Sequence, residues 1–67
     1  MIRQATIYFK DGSQDWIDPY EEFYITDDKI FIVSVYIYDY NLKDVDYVEI
    51  NDIESSKNNE VIWRNKK

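Results

Sequence analysis

Residues 30–38 read IFIVSVYIY, and the architecture of the chain depends on how this run is used. The run is rich in β-branched and aromatic side chains and lacks the periodicity of an amphipathic helix. It therefore predicts a long central strand. Upstream of it, residues 27–28 predict the turn of a hairpin. The buried face of that hairpin would contain Phe23, Ile25, Ile30 and Ile32.

Downstream of the run, the polar residues 41–44 predict a hairpin loop that would pair the long strand with the segment after it. This pairing separates two faces. The aliphatic face, which we expect to be core, would contain Val33, Val35, Ile37, Val48 and Ile50. The other face would contain Tyr36, Tyr38, Tyr40 and Tyr47 with Val45 and Glu49. Because the buried positions change from even to odd numbers near Ser34, we expect a bulge or sharp bend there.

The same pairing places Asp39 directly opposite Asp46, which is unfavourable unless a cation lies nearby. The loop superficially resembles a calcium loop. However, Lys43, Asp44 and Ile50 stand where an EF-hand loop has Asp or Asn, Gly and Glu. We interpret the segment as a polar hairpin loop, with a weak cation site at the two aspartates as the alternative.

The pair Asp11-Gly12 predicts a second hairpin near the N-terminus, and it contains the only glycine of the chain. A two-residue loop at this pair would place Ile7 opposite Trp16. Both side chains would then share one face with Phe9, and we expect that face to be part of the core.

Shorter segments complete the predicted secondary structure. Residues 18–21 read DPYE, which has the form of a helix start with Asp as N-cap and Pro in the first position, so we expect one helical turn. Residues 51–54 predict a tight turn, and residues 55–59 predict a polar spacer. Residues 61–64 predict a short edge strand in which Trp63 closes the core, or alternatively protrudes as a binding anchor.

These segments predict a small all-β fold of roughly five or six strands, either a strongly bent antiparallel sheet or a partly open barrel with one short helical turn. The order of elements resembles small SH3-like and Sm-like barrels, and this resemblance implies only a fold. We interpret residues 1–67 as one domain, with an acidic β body over 1–54 and a polar spacer, short strand and basic tail over 55–67. Because a chain this small has a thin stability margin and no disulfide or metal to supplement its core, self-association into a homodimer is the remaining way to add buried area.

The residue types present exclude most catalytic chemistry. The chain has no Cys and no His, so it lacks the commonest zinc ligands and the commonest acid-base group. It also lacks a G-x-S-x-G, S-x-x-K or P-loop pattern. We therefore predict a non-catalytic protein with no cofactor and no metal. Since no apolar run is long enough for a signal peptide or a membrane span, we expect a cytoplasmic protein with no membrane contact.

Charge is unevenly distributed along the chain. The net charge is -6, and residues 11–28 contain seven carboxylates and no Lys or Arg, whereas the tail is basic. An acidic body repels phosphate backbones, so we expect no direct nucleic-acid binding and a partner protein with a basic surface. The candidate partner-binding residues in this stretch are Asp15, Asp18, Glu21 and Glu22. The alternative is a solvated face that keeps a small protein soluble.

The tyrosine face is the second candidate binding site, because the aliphatic face already accounts for the predicted core. Its members are Tyr36, Tyr38, Tyr40 and Tyr47. Tyrosine is favoured at protein interfaces, where its ring is buried and its hydroxyl stays hydrated. The alternatives are half-exposed rings that cover the outside of a sheet and a base-stacking platform, which the nearby carboxylates disfavour.

The composition also suggests an origin, since Ile, Asn, Lys, Asp and Tyr are abundant while Gly and Pro occur once each, a bias typical of low-GC genomes. In size, acidity, composition and lack of catalytic residues, the chain resembles small phage-encoded inhibitors such as anti-CRISPR and other anti-defence proteins. The resemblance is one of character and involves no shared motif. It implies a protein that occupies a basic or nucleic-acid-binding surface of a host protein. The alternatives are a self-associating structural protein and a small ligand-sequestering module.

Overall fold

The computed structural model describes residues 3–52 and 55–66 of the chain. Within these ranges the chain forms strands and one short 3-10 turn, so the predicted all-β class is confirmed. The elements in chain order are β1 (Arg3–Phe9), β2 (Gln14–Ile17), β3 (Glu22–Ile25), β4 (Lys29–Val33), β5 (Ile37–Asn41), the 3-10 turn (Leu42–Asp44), β6 (Val45–Asp52) and β7 (Ser55–Arg64).

The described strands form two sheets in which all pairings are antiparallel. One sheet has the strand order β2-β1-β6-β7, and the other has the order β3-β4-β5. In this part of the chain the two sheets do not close into a barrel. The arrangement leaves β2, β7, β3 and β5 as the edges of the sheets that the structure describes.

The core is formed by aliphatic side chains that both sheets contribute. The buried apolar residues are Ala5, Ile7, Ile17, Ile30, Ile32, Val45, Val48 and Ile50. Aromatic side chains such as Phe9, Phe23 and Trp63 are only partly buried and pack around this cluster. The described aromatic side chains therefore lie at the rim of the core or on the surface.

The β1–β2 hairpin turns through three residues instead of the predicted two. The N–H of Phe9 donates to the carbonyl of Ser13 over 2.9 Å, and the N–H of Gly12 donates back to the carbonyl of Phe9 over 3.1 Å. Gly12 has a φ of 94°, a backbone conformation that glycine adopts at little cost. The expected turn is therefore present at Gly12, but its loop is one residue longer.

This additional loop residue exchanges the two faces of β2, because side chains alternate along a strand. Trp16 is 58% exposed, whereas Ile17 lies opposite Ala5 and is buried. The predicted core position of Trp16 is therefore wrong. Ile7 is fully buried as predicted, and Phe9 packs against the core.

The predicted β3–β4 hairpin and its two-residue turn are confirmed. Ile25 lies opposite Ile30, and Phe23 lies opposite Ile32. Ile30 and Ile32 are fully buried, and Phe23 packs against the core. Ile25, which lies beside the turn, is exposed instead.

The long strand predicted for residues 30–38 does not form, because the chain reverses in the middle of the run. β4 ends at Val33, β5 begins at Ile37, and these two residues lie opposite each other. The change from even to odd buried positions near Ser34 therefore marks a hairpin rather than a bulge.

Strands β5 and β6 do not pair, contrary to the prediction. The turn at Leu42–Asp44 carries the chain from one sheet to the other, where β6 pairs with β1 and β7. Val48 and Ile50 are buried as expected. Val35 and Ile37, which the predicted pairing placed in the core, are exposed because no part of β6 covers them.

Residues 18–21 cross between the sheets and do not form the predicted helical turn. The N–H of Tyr20 donates to the carbonyl of Arg3 over 2.7 Å, and the N–H of Glu21 donates to the carbonyl of Val33 over 2.9 Å. These two N–H groups thus bond to strands of different sheets. They satisfy the backbone without a helix.

The predicted C-terminal edge strand is confirmed, and it is longer than expected because β7 begins at Ser55. The polar spacer over residues 55–59 is therefore part of the strand. Trp63 lies opposite Val48 and packs against the core, as in the closing role that we predicted for it. The tight turn predicted at residues 51–54 lies partly outside the described residues.

Candidate functional site

Two of the predicted acidic residues and two of the predicted tyrosines line one cleft between β2 and β5. The cleft has a volume of about 330 Å³, at the lower end of the range for ligand pockets. Its lining residues are Asp15, Trp16, Ile17, Asp18, Tyr38 and Tyr40. We call it the acidic aromatic cleft. The two binding sites predicted from the sequence, one acidic and one rich in tyrosine, therefore meet in this cleft.

Tyr40 fixes the two walls of this cleft to each other. Its hydroxyl donates to a carboxylate oxygen of Asp15 over 3.3 Å, and its ring lies 5.7 Å from the ring of Phe9. Burial, and after it the negative charge of Asp15, raises the pKa of Tyr40 far above its usual value. The hydroxyl therefore remains protonated and keeps β5 bonded to β2.

The remaining rings of the cleft are available to a ligand. Trp16 is 58% exposed and Tyr38 is 39% exposed, and both lie beside the carboxylates of Asp15 and Asp18. Aromatic faces and carboxylates both attract lysine and arginine side chains. The six described lining residues include no cation that would compete for this position. The cleft is therefore suited to a cationic side chain.

The loop between β4 and β5, together with the first residue of β5, projects three large apolar side chains. Val35 is 74% exposed, Tyr36 is 70% exposed and Ile37 is 64% exposed. We call residues 34–37 the apolar loop. The rings of Tyr36 and Tyr38 meet edge to face at 6.4 Å, so the loop is continuous with the acidic aromatic cleft.

The other two predicted acidic residues flank the base of the apolar loop. Glu22 lies opposite Val33, and the backbone N–H of Glu21 donates to the carbonyl of Val33. Both glutamates are exposed. The apolar loop is thus bordered by carboxylates from β3 and from the cleft. We call the loop, the cleft and these glutamates together the apolar–acidic end.

Tyr47 lies elsewhere, so the predicted face of four tyrosines is not formed. Because β6 pairs with β1, the ring of Tyr47 stacks on the ring of Tyr8 at 4.3 Å. The guanidinium of Arg64 lies 4.9 Å from the centre of the Tyr47 ring on the β7 side. Tyr47 is therefore occupied by contacts within its own sheet.

Sequence reasoning missed three residues of the apolar–acidic end, because Trp16, Val35 and Ile37 were all predicted to be core. For Val35 and Ile37 the polar Ser34 in the middle of the run was the available sign of a reversal. For Trp16 no sign was available, since loops of two and three residues both accommodate a glycine at position 12.

The predicted opposition of Asp39 and Asp46 is wrong. Asp39 lies opposite Phe31 on β5, and its carboxylate forms an ion pair with the Lys29 ammonium at 3.2 Å. Asp46 is on β6, in the other sheet. Over residues 3–52 and 55–66, no three His, Cys, Asp or Glu side chains come together as metal ligands. The alternative of a cation held by these two aspartates thus loses its geometric basis.

No protein family, curated protein or solved structure matches this chain. None of the described residues belongs to a helix with the length and apolar character needed to cross a membrane. The function is therefore inferred from the chemistry of the surface itself.

Proposed function

We propose that the protein is a non-catalytic binding module whose apolar–acidic end occupies a basic surface of another protein. The observation that carries this proposal is the exposure of Val35, Tyr36 and Ile37 on one loop beside a cleft of carboxylates and aromatic rings. Single exposed apolar residues are common on proteins, but contiguous ones mark interaction sites.

The arrangement has the anatomy of an interface. The apolar loop supplies a centre that is desolvated on binding, and the carboxylates of Asp15, Asp18, Glu21 and Glu22 supply a polar rim. Tyrosine and tryptophan are enriched among the residues that dominate binding energy, and Tyr36 and Trp16 are both exposed at this end. The fitting partner surface has an apolar depression bordered by lysine or arginine side chains.

The charge of the protein supports a basic partner. A net charge of -6 steers association with a positive surface and weakens contact with nucleic acid. Within this arrangement a lysine or arginine of the partner enters the acidic aromatic cleft. There the carboxylate of Asp18 and the faces of Trp16 and Tyr38 receive its charge.

A more specific proposal follows from the resemblance in character to phage-encoded inhibitors. Basic surfaces are typical of proteins that bind nucleic acids, whose affinity depends on lysine and arginine contacts to phosphate. We propose that the protein covers such a surface in the cytoplasm of a low-GC bacterium. The host protein could then no longer bind its nucleic acid.

Affinity capture with matched variants tests this function. Tagged protein is incubated with a low-GC bacterial lysate at low and high salt, and the captured proteins are quantified by mass spectrometry. The test variants are Val35→Ser with Ile37→Ser, and Asp15→Asn with Asp18→Asn. The control is Val61→Ser, which changes an exposed aliphatic residue on β7, away from the apolar loop.

We expect a nucleic-acid-binding protein that the unaltered chain and the control retain at low salt and that each test variant loses by about tenfold or more. High salt should release it, because salt screens steering between exposed charges. When the partner has been purified, its nucleic acid should compete with the tagged chain for binding to it. Equal capture by the Val35→Ser, Ile37→Ser variant, or capture that ignores salt, would contradict the proposal.

Self-association is a second candidate function, and the open edges of the described sheets favour it. An edge strand presents unpaired backbone groups that can pair with another chain. β5 combines such an edge with the exposed Ile37 at its start. Analytical ultracentrifugation over a concentration series tests this candidate. A monomer at the highest concentration eliminates it, whereas a dimer that Ile37→Ser dissociates would support it.

A further inference from the structure

A second cleft lies at the end of the molecule opposite the apolar loop. It opens where the β1–β2 loop, the β3–β4 turn, the 3-10 turn and the segment after β7 meet, and its volume is about 600 Å³. The residues that line it are Lys10, Asp27, Asp28, Asn41, Leu42, Lys43, Asn65 and Lys66. We call it the lysine cleft. Nothing in the proposed protein-binding function uses it.

Backbone and side-chain hydrogen bonds hold the four segments of this cleft together. The N–H of Leu42 donates to the carbonyl of Asp28 over 2.9 Å, and the N–H of Lys10 donates to the carbonyl of Asp44 over 2.9 Å. The side-chain amide of Asn65 donates to the carbonyl of Val45 over 3.0 Å. The cleft is therefore preformed, which lowers the entropic cost of binding a ligand.

The lining charges of this cleft are unusual for the chain. Lys10, Lys43 and Lys66 come from three separate segments, and none of them forms an ion pair with another described residue. Three of the eight basic residues of a protein with net charge -6 thus border one cleft. Lysine ammonium groups bind phosphate as point charges with three rotatable donors.

The two carboxylates of the cleft restrict the kind of anion that fits. Asp27 and Asp28 lie on the β3–β4 turn and repel a ligand that is anionic throughout. They are good acceptors for hydroxyl or amino groups, in the way that a carboxylate binds ribose hydroxyls in dinucleotide sites. Leu42 adds an apolar contact to the lining. The lining therefore favours a ligand that carries both a phosphate and hydrogen-bond donors.

We propose that the lysine cleft binds a small sugar phosphate or nucleoside monophosphate. The phosphate lies among Lys10, Lys43 and Lys66, and the sugar hydroxyls or a base amino group donate to Asp27 and Asp28. The size of the cleft is within the range of sites for such ligands. This inference is independent of the proposed protein-binding function, because the two surfaces share no residue.

The experiment is a titration of the isotope-labelled full chain followed by amide chemical shifts. The probes are AMP, ribose 5-phosphate, adenosine and inorganic phosphate, each added without any partner protein. The test variants are Lys10→Gln and Lys43→Gln. The matched control is Arg3→Gln, which removes the same charge from the far end of β1. Because all three side chains are exposed, the variants should keep the fold, and their amide spectra check this directly.

We expect AMP and ribose 5-phosphate to shift the amides around Lys10, Leu42 and Lys43 at lower concentrations than adenosine or phosphate does. Lys10→Gln and Lys43→Gln should each weaken binding about fivefold, whereas Arg3→Gln should leave it nearly unchanged. Asp27→Ala should strengthen the binding of inorganic phosphate, because it removes repulsion, and should reduce the preference for ribose 5-phosphate over phosphate.

Three outcomes would overturn the inference. Absence of shifts around the lysine cleft at millimolar AMP would show that there is no site. Equal affinity for phosphate and ribose 5-phosphate would reduce the cleft to an unselective anion surface. Tighter binding of a single-stranded oligonucleotide that grows with its length would assign the lysines to nucleic acid instead. None of these outcomes changes the capture of a partner by the apolar loop, so the two proposals fail separately.

Discussion

Strands β5 and β6 both carry aliphatic and tyrosine side chains, yet the aliphatic side chains of β6 are buried and that of β5 is exposed. β6 lies between β1 and β7, and its Val45, Val48 and Ile50 are buried. β5 is at an edge among the described strands, and Ile37 at its start is 64% exposed. The aliphatic side chains of a central strand are covered here, whereas Ile37 on an edge strand is not, so the apolar pattern of a strand does not by itself decide which residues form the core.

The largest expected difference in stability is between two valine-to-alanine substitutions, one on β6 and one in the apolar loop. Val48→Ala should lower the free energy of unfolding by about 2–3 kcal/mol, because it leaves a cavity in the core. Val35→Ala should change the free energy of unfolding by less than about 0.5 kcal/mol, since the side chain is 74% exposed. Urea denaturation of the two variants measures the difference. Equal losses would mean that the apolar loop is packed against the protein in solution.

The pH dependence of the free energy of unfolding tests whether Tyr40, near the end of β5, is held against β2. Tyr40 ionises near pH 10 in the unfolded chain, whereas burial and the charge of Asp15 raise its pKa in the folded protein. The stability gained from the neutral hydroxyl is therefore complete below pH 10 and is lost as the pH rises towards the folded pKa. Above pH 10 this loss amounts to at most about 1.4 kcal/mol for each pH unit, because Tyr40 is only partly buried and solvent screens its interaction with Asp15.

Comparison of the unaltered protein with Tyr40→Phe isolates that contribution. Between about pH 10 and about pH 11, the free energy of unfolding of Tyr40→Phe should fall less steeply than that of the unaltered protein. The difference between the two slopes is the contribution of Tyr40. Burial also raises the pKa values of Tyr8 and Tyr20, so a residual slope should persist in the variant. Identical slopes would show that the Tyr40 hydroxyl is hydrated and does not bond to Asp15 on β2.

The smallest expected effect concerns the ion pair on the outer face of the β4–β5 hairpin. Asp39→Asn should lower the free energy of unfolding by about 0.5 kcal/mol at low salt, because Lys29 and Asp39 are both partly exposed. High salt should remove the effect. Asp46→Asn on β6 is the control, and thermal unfolding at two salt concentrations measures both. If Asp39→Asn instead raised the free energy of unfolding, Asp39 and Asp46 would repel each other as in the predicted register.

Local features of the sequence were sufficient for the β3–β4 hairpin and for the position of the β1–β2 turn. The turn at residues 27–28 has one register that buries Ile30 and Ile32 together, so pattern and turn agree. At Gly12 the apolar pattern and the turn signal do not specify the register of the β1–β2 hairpin. A glycine with positive φ suits loops of two and of three residues, and the choice between them decides whether Trp16 or Ile17 is buried.

Apart from the polar Ser34, the run over residues 30–38 carries no sign of the reversal. β-branched residues suit a continuous strand and the two arms of a hairpin equally well, because both are extended. The hairpin is favoured in the folded protein because β6 pairs with β1, which leaves β5 with β4. That competition involves residues far apart in the chain.

The candidate site was predictable in its chemistry but not in its geometry. Carboxylates without neighbouring cations and a cluster of tyrosines were evident in the sequence, and Asp15, Asp18, Tyr38 and Tyr40 do line one cleft. Their meeting depends on the contact between β2 and β5, which belong to different sheets. Tyr47 was grouped with them only through the pairing of β5 with β6, which does not form.

The apolar loop also has an evolutionary consequence. Because residues 34–37 contribute little to the core, their identity is free to change at small cost in folding free energy, while the surrounding strands keep the loop in a fixed place. Substitutions in the loop can then change which partner is bound without destabilising the fold. A display library randomised at these positions would exploit the same independence to obtain binders for new targets.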